Sequence, residues 1–301
     1  MASEQCASKK SAVTEEVNRF YLGGVAAVSV VERSYTVCQT ALSASRLPSL
    51  DYSLNPYLGC EHGCIYCYSR YVFRDSNLAR RWGYFVKAKR NIVERLSAEL
   101  RRMPVGVVGV STVTDPYQPF ESKLELTRKC LNLLSTHRFP VSIQTKSTLV
   151  LRDLDLIRLR GFDVGLTITT MDGGLARELE PRAPSPDARV QVAEELAAAG
   201  VETWVFLGPI IPFINDGEDN LRRVVEVAKV TGSKLIYDKL NLRRWVLDSV
   251  TPFLEREIPG LVGKFPSLLK PSSSYWYRVS RMVESLCREK NIKCEPAFTY
   301  L

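Results

Sequence analysis

The segment Asn55–Arg70 reads NPYLGCEHGCIYCYSR and sets Cys60, Cys64 and Cys67 in the spacing C-x3-C-x2-C. Three thiols so close together suit neither a disulfide, which needs two, nor a tetrahedral zinc site, which needs four ligands. His62 is the one local candidate for a fourth zinc ligand. It lies between the first two cysteines, where its reach to the same ion is cramped, and His137 is far away along the chain. The position of this loop in the pattern around it decides how it is read.

That pattern is one of short apolar β-rich runs alternating with helical stretches. VGVVGV at 105–110 precedes an amphipathic stretch from Ser122, and VSIQTK at 141–146 precedes a helix expected over Leu151–Arg160. DVGLTIT at 163–169 leads to a helix from Pro186, VETWVFL at 201–207 to one near Asp219–Val230, and KLIYD at 234–238 is the last clear strand. The helix from Pro186 carries its own boundaries: Ser185 as N-cap, proline at the first helical position, Asp187 at the positive end of the dipole and Gly200 as the stop. A further strand near Leu54–Leu58 makes six β/α units. Continuous apolar strands alternating with helices imply a parallel sheet covered by helices, here an α/β partial (β/α)6 TIM-type barrel. Chemistry in such sheets sits at the carboxyl ends of the strands, so the cysteine loop falls on the functional rim. Residues 1–45 read as an N-terminal extension, loose at first, with a strand or hairpin over Tyr21–Val31. Residues 46–240 form the barrel core, and 241–301, rich in Trp245, Tyr275, Trp276 and Tyr277, form a C-terminal helical cap.

Composition is that of a globular chain: 301 residues, 45% hydrophobic and 25% charged, with a mean hydropathy near zero. No apolar run reaches the roughly 18 residues of a membrane span, and no export signal precedes the fold, so the expectation is a cytoplasmic protein with no membrane association. In a reducing compartment the eight cysteines are metal ligands, reactive thiols or core residues rather than a disulfide framework. Cys6, Cys38, Cys130, Cys287 and Cys294 are scattered and read as structural. Lys and Arg number 41 against 33 Asp and Glu, a net charge of +8. The charges read as spread along the chain, with Arg pairs at 80–81, 101–102, 222–223 and 243–244. Solvated helix faces account for several of them, and nucleic acid stays open as a substrate class.

A cube of four irons accounts for three thiolates better than zinc does, since three irons are held and one is left open to a small molecule. With an aromatic residue, Tyr66, just before the last cysteine, the motif resembles the signature of radical S-adenosylmethionine enzymes. The wider frame NPY-x-GC-x-HGC-x-YCY is similar to the branch that includes spore photoproduct lyase. TVTDPYQPFE at 112–121 and LEPRAPSPDAR at 179–189 fit that branch as well, and the resemblance spans residues 45 to 240.

The resemblance implies a [4Fe-4S] cluster on Cys60, Cys64 and Cys67, S-adenosylmethionine on its open iron, and a 5′-deoxyadenosyl radical that takes a hydrogen atom from a substrate. It implies a reduced flavodoxin- or ferredoxin-type electron donor. Tyr66 is expected along the adenine. Gly59 and Gly63 are expected to let the loop wrap closely round the cluster, and His62 to donate to a cluster sulfur or to stabilise the loop. At the second strand's end Ser111, Thr112, Thr114 and Asp115 offer hydroxyls and a carboxylate to the methionyl amine, with an Asp-Pro turn as the structural alternative. Lys146 is expected at the methionyl carboxylate, or solvated. Thr167 and Thr169 share one face of the fourth strand and are candidates for ribose or methionine. Glu180 and Arg182 are candidates for cosubstrate or substrate, or for a loop ion pair. Tyr68, Thr112 and Asp115 are candidate catalytic residues, Tyr68 through hydrogen relay or through packing alone. One departure concerns the lyase's hydrogen-donating cysteine near the second strand's end. Here Thr112 stands in that neighbourhood, and no cysteine follows until Cys130. Two alternatives therefore stand beside a radical enzyme of unidentified substrate: a photolesion lyase, and a non-catalytic Fe–S or zinc protein that binds nucleic acid.

Overall fold

The chain leaves one sheet and enters another between Leu54 and Tyr57, immediately before the cysteines. Strand β3 (Tyr52–Leu54) pairs with a strand of the large sheet, while β4 (Tyr57–Leu58) pairs in a small one. Pro56 marks the change, because it has no N–H to donate to a ladder and biases Asn55 towards an extended backbone. The single first strand expected over Leu54–Leu58 is thus two short strands, and the one that enters the barrel ends at Leu54. The computed structural model describes residues 30–159, 161–270 and 273–297. The hairpin expected over Tyr21–Val31 falls almost wholly outside them.

Among the described residues the other strands are β1 (Glu32–Thr36), β2 (Leu42–Ala44), β5 (Phe85–Lys89), β6 (Val108–Val110), β7 (Val141–Thr145), β8 (Phe162–Thr167), β9 (Glu202–Ile210), β10 (Lys234–Lys239) and β11 (Cys294–Pro296). The large sheet runs β11-β10-β9-β8-β7-β6-β3-β2, all parallel except β2, which is antiparallel to β3. From β3 to β10 the order follows the chain without reversal. Parallel crossovers are right-handed, so every connecting helix falls on one face of the sheet. A sheet wound in one direction curls to bury its other face, which is the winding of a barrel rather than of a doubly wound fold. The six expected β/α units are present, and the last strand is not hydrogen-bonded to the first, so the barrel is open.

The helices are α1 (Ser76–Arg80), α2 (Ile92–Leu100), α3 (Glu121–Leu124), α4 (Leu126–Thr136), α5 (Leu154–Ile157), α6 (Gly173–Leu179), α7 (Pro186–Ala198), α8 (Glu218–Val230), α9 (Val246–Glu257), α10 (Phe265–Leu268) and α11 (Ser274–Lys290). Helix α7 begins as its sequence dictates, with Ser185 Oγ accepting from Ala188 N at 3.2 Å. Two expectations are corrected. The helix over Leu151–Arg160 is a 3-10 turn, Thr148–Asp153, followed by the single turn of α5. The C-terminal region is helical but ends in β11, which extends the sheet beyond β10.

Strand interiors and the helices outside them form two continuous cores. Leu54, Val110, Ile143 and Leu166 pack with Leu96 and Leu131 in one; Val205, Leu207, Leu235 and Tyr237 pack with Val224 and Trp276 in the other. The small sheet, β1-β5-β4, stands apart. Its central strand, β5, comes from the insertion between the cysteine loop and β6, and Cys60 packs directly into that insertion's apolar cluster with Phe73, Ala79, Trp82 and Phe85.

The stretch expected as one helix from Ser122 breaks at Glu125, which is left-handed at φ 54°. The cause is Glu121, whose fully buried carboxylate caps α4 from outside. It accepts from Thr127 N at 3.0 Å, from Arg152 at 2.8 Å and from the Tyr57 hydroxyl. Removing one member of such a network leaves the others desolvated and unpaired. Glu121→Ala is expected to lower unfolding free energy by roughly 3–5 kcal/mol in urea denaturation, and Glu121→Gln by less.

Candidate active site

The cysteine loop is pinned to the segment that follows β6. Asn55 bridges to the end of β6, donating to Thr112 Oγ1 at 3.3 Å and accepting from Val113 N at 3.0 Å. Thr114 donates to Gly59 O at 2.6 Å, and Gln118 Oε1 accepts from Glu61 N at 2.9 Å. Gly59 and Gly63 are left-handed at φ +87° and +67°. A Cβ on Gly59 would stand 2.5 Å from Phe85 O, and one on Gly63 would stand 2.9 Å from the Arg182 guanidinium. The close approach these glycines permit within the protein is to the insertion and to Arg182.

The loop gathers its three thiols away from water. Cys60 and Cys64 are buried and Cys67 is half-buried. Burial, with Asp115 and the neighbouring thiols, holds the Cys60 thiol well above the usual range. Burial also pushes Cys64 up to about 12, although the Lys146 ammonium opposes it. A metal centre bound here would take these cysteines as thiolates, releasing their protons on binding. His62 does not complete a zinc set. Its Nδ1 lies 3.4 Å from Asp115 Oδ2 in ion-pair range, without hydrogen-bond alignment. Among the described residues, no group of three or more His, Cys, Asp or Glu is arranged to hold a single ion.

The strand ends divide into groups whose bonding is spent inside the protein and groups whose bonding is not. Asp115 is spent. Its carboxylate accepts from Tyr117 N at 2.9 Å, Thr145 Oγ1 at 2.7 Å and Lys146 N at 2.9 Å, in the Asp-Pro turn. Burial opposes its charge, but His62 and these bonds outweigh burial and hold its pKa at about 2. Arg182 donates to Glu61 O at 2.7 Å and to Gly83 O, and its guanidinium stacks 4.7 Å from the Tyr84 ring. Thr167 accepts from Gln144 at 3.2 Å. Tyr68 donates to Thr112 O, and its ring stacks on Tyr71 with centroids 6.2 Å apart.

Glu180 is the centre of the second half. It accepts from the Tyr66 hydroxyl, from Thr169 Oγ1 at 2.8 Å and from the Arg189 guanidinium. Arg189, 1% exposed, also donates to Thr167 O at 3.0 Å and Pro184 O at 2.9 Å. Sequence reasoning passed over Arg189, although it stands inside the quoted LEPRAPSPDAR. An arginine on the apolar face of α7, beside Val192 and Leu196, was its signal. It passed over Asp238 too, at the carboxyl end of β10, whose carboxyl burial pushes up to about 6 despite Lys239.

Among the described residues, two polar groups just past the ends of β6 and β7 have unspent functional atoms, while the buried His62 Nδ1 and Tyr117 hydroxyl also lack a hydrogen-bond partner. Ser111, at the end of β6, is forced to φ +66°, rare outside glycine, and its buried hydroxyl has no hydrogen-bond partner. The Lys146 ammonium, at the end of β7, forms no ion pair among the described residues. It lies 5.7 Å from the centroid of the Tyr66 ring. Burial opposes its charge, yet Cys64 and Glu180 raise its pKa above the ordinary lysine value.

Burial disfavours the Glu180 carboxylate, but Arg189 and Lys146 hold its pKa at about 2, below the ordinary 4.5. A depressed pKa stabilises the fold fully above the unfolded value, and that contribution is lost as pH falls through the folded one. Stability of the apoprotein is therefore expected to decline between about pH 5 and pH 2. In pH-resolved urea titrations, Glu180→Gln should be less stable at neutrality and show a flatter decline.

A family model described as the radical SAM superfamily matches residues 54–225. An uncharacterised protein of Methanocaldococcus jannaschii is 35% identical over 178 residues, covering 59% of this chain and 67% of its own. One from Mycobacterium tuberculosis is 30% identical over 247 residues, covering 78% of this chain and 72% of its own. Spore photoproduct lyase solved with AdoMet and dinucleoside spore photoproduct superposes with a TM-score of 0.62 at 14% identity, over 89% of this chain and 81% of that one. SuiB of Streptococcus suis, bound to S-adenosylmethionine, gives 0.56 at 12% identity over 89% of this chain, which spans about half of SuiB. At these identities the structural likenesses speak for the fold, a TIM-type partial barrel, while the matched family model covers more than half of the sequence. The chain belongs to the radical SAM superfamily.

Proposed function

We propose that this protein is a radical enzyme that cleaves S-adenosylmethionine reductively and uses the product radical to abstract hydrogen from a substrate entering at the strand ends. Superfamily membership supports an enzyme. The observation that carries the reading is the pair of unspent groups, the Ser111 hydroxyl and the Lys146 ammonium, at adjacent strand ends beside the cysteine loop. Their chemistry matches the two ends of an amino acid, a hydroxyl for the amine and a cation for the carboxylate.

Cys60, Cys64 and Cys67 would hold a [4Fe-4S] cluster, in keeping with their burial and with a donor set that leaves one iron unligated by protein. When bound there, such a cluster would supply the one electron needed to cleave the S–C5′ bond of S-adenosylmethionine. Lys146 pairs with the methionyl carboxylate, and Ser111 accepts from the amine. Tyr66, held at its hydroxyl by Glu180 and Thr169, presents a fixed ring and backbone to the adenine. Asp115, Glu180, Arg182 and Arg189 act as braces that hold the binding groups in register. Tyr68 and Thr112, joined by one hydrogen bond, are the candidates to meet substrate. The protein draws on a reduced flavodoxin- or ferredoxin-type donor and works in the cytoplasm. No helix among the described residues is long and apolar enough to cross a membrane.

A photolesion lyase with a cysteine hydrogen donor is less well supported. Among the described residues the remaining thiols stand elsewhere: Cys38 against Asn91, Cys130 in the core of α4, and Cys287 with Cys294 at α11 and β11.

Anaerobic reconstitution is expected to load about four irons per chain, and the reduced protein to release 5′-deoxyadenosine from S-adenosylmethionine. Cys64→Ala should lose both while its far-ultraviolet circular dichroism is retained; one tightly held zinc and no iron in the wild type would refute the reading. Lys146→Gln should keep its iron but bind S-adenosylmethionine roughly 30-fold more weakly or worse in equilibrium dialysis. Unchanged affinity would remove Lys146 from the cosubstrate site.

A further inference from the structure

Two arginines are buried among the described residues, and the fold treats them differently. Arg189 meets the Glu180 carboxylate, whereas Arg70, 5% exposed and three positions past Cys67, forms no ion pair among the described residues. The Arg70 guanidinium donates to Ala79 O at 2.9 Å and to Cys64 O at 3.4 Å, and lies 6.0 Å from the centroid of the Trp82 ring. Both carbonyls already accept a backbone N–H, Ala79 O from Trp82 and Cys64 O from Cys67, so neither depends on the arginine. Arg70 Nε has no hydrogen-bond partner, and the indole N–H of Trp82 is also buried and unpartnered. Donors therefore outnumber acceptors where the insertion backs the cysteine loop. Burial lowers the pKa of Arg70 below the ordinary arginine value, and the groups that oppose burial are the side chains of Cys67 and Cys64. A guanidinium taken out of water without a counter-charge is strongly penalised, and an unsatisfied buried group of this kind calls for a ligand that completes it.

We infer that Arg70 is the counter-cation of the iron–sulfur centre, balancing the negative charge that the cysteine thiolates bring together and making the centre easier to reduce. The inference rests on the reading proposed above, in which Cys60, Cys64 and Cys67 hold a cluster. Three thiolates leave such a centre net negative, and an added electron makes it more so. A fixed positive charge in a water-poor surrounding then stabilises the reduced form more than the oxidised one. Arginine suits the place because it keeps its proton when buried, where a lysine would shift more readily. Lys146 is the other cation that acts on Cys64, but in the proposed site its charge is taken up by the methionyl carboxylate. Arg70 touches only the loop and the insertion through the contacts given above, so its charge stays with the thiols when the cosubstrate binds. Two roles compete with this one: a scaffold arginine that merely packs on Trp82, and a second anchor for the cosubstrate.

Arg70→Gln removes the charge and keeps a donor for the two carbonyls, while Arg70→Lys keeps the charge. In redox titrations of the reconstituted proteins, followed by electron paramagnetic resonance, the reduced fraction of Arg70→Gln at a fixed potential should fall roughly tenfold. That ratio corresponds to about 59 mV for a one-electron couple. Arg70→Lys should stay near the wild-type midpoint. As an apoprotein, Arg70→Gln should unfold in urea no earlier than the wild type, because without a cluster it loses no counter-charge. An unmoved midpoint in Arg70→Gln at wild-type iron content overturns the inference. So does an equal shift in Arg70→Lys, which would trace the effect to packing. Failure of both variants to fold as apoproteins would assign Arg70 to the scaffold and overturn it too. Weaker binding of S-adenosylmethionine in equilibrium dialysis, with the midpoint unmoved, would assign the charge to the cosubstrate with the same consequence. A wild type that takes up no iron refutes the proposed reaction itself, and with it the centre that Arg70 would serve.

Discussion

The carboxylate of Glu180 is where the cysteine loop, the fourth barrel strand and helix α7 are held to one another. Tyr66 reaches it from the loop, Thr169 from just beyond β8 and Arg189 from α7. A buried carboxylate is tolerable only while it is paired and its lone pairs are filled, and here both conditions are met. The arrangement fixes geometry more than it adds net stability. If any partner shifts, a desolvated charge is left behind, so the loop has one position against the sheet. Asp115 does the corresponding work on the other side, tying the β6 loop to the end of β7 and facing His62.

Around these two anchors the polar residues of the rim separate by what their bonds are used for. Glu180, Asp115, Arg182 and Arg189 spend theirs within the protein and set distances. Ser111 and Lys146 are held in place by the backbone of β6 and β7, with their functional atoms unspent. A left-handed serine with a buried, unpartnered hydroxyl costs stability, and such costs persist where a ligand recovers them. The small sheet adds a third constraint from behind. It packs on Cys60 and leaves no room for a side chain at Gly59, so the loop's path is determined from outside the barrel as well as from within.

Much of this could be read along the chain. Alternating apolar runs and helical stretches gave the order and parallel direction of β6 to β10, because a strand buried on both faces has to be continuously apolar. Helix α7 could be bounded to the residue by Ser185 and Pro186, since capping is local. The reading failed where the deciding contact is remote. Glu121 breaks the helix at Glu125 by capping α4 together with Tyr57 and Arg152, and no window of sequence around Ser122 contains those partners. The strand before the cysteines was misplaced because Leu54 and Tyr57 join different sheets, a choice made by Val110 and Ala88.

The site divides in the same way. By itself the sequence determined that three thiols stand one short of a metal set, on a strand-end loop, with Ser111 and Lys146 at later strand ends and Glu180 in the segment ahead of the helix from Pro186. These conclusions rest on spacing and alternation, which are properties of neighbouring residues. Only the tertiary structure decided which of those polar groups are braces and which are unspent. Hydrogen-bond capacity is consumed by whatever atom arrives within reach: Tyr66 meets Glu180 across 114 positions, and Arg182 meets Glu61 across 121. The packing of the insertion has a similar origin: Phe73, Trp82 and Phe85 are near one another in sequence, but their contact with Cys60 exists only because the insertion folds back on the loop that precedes it.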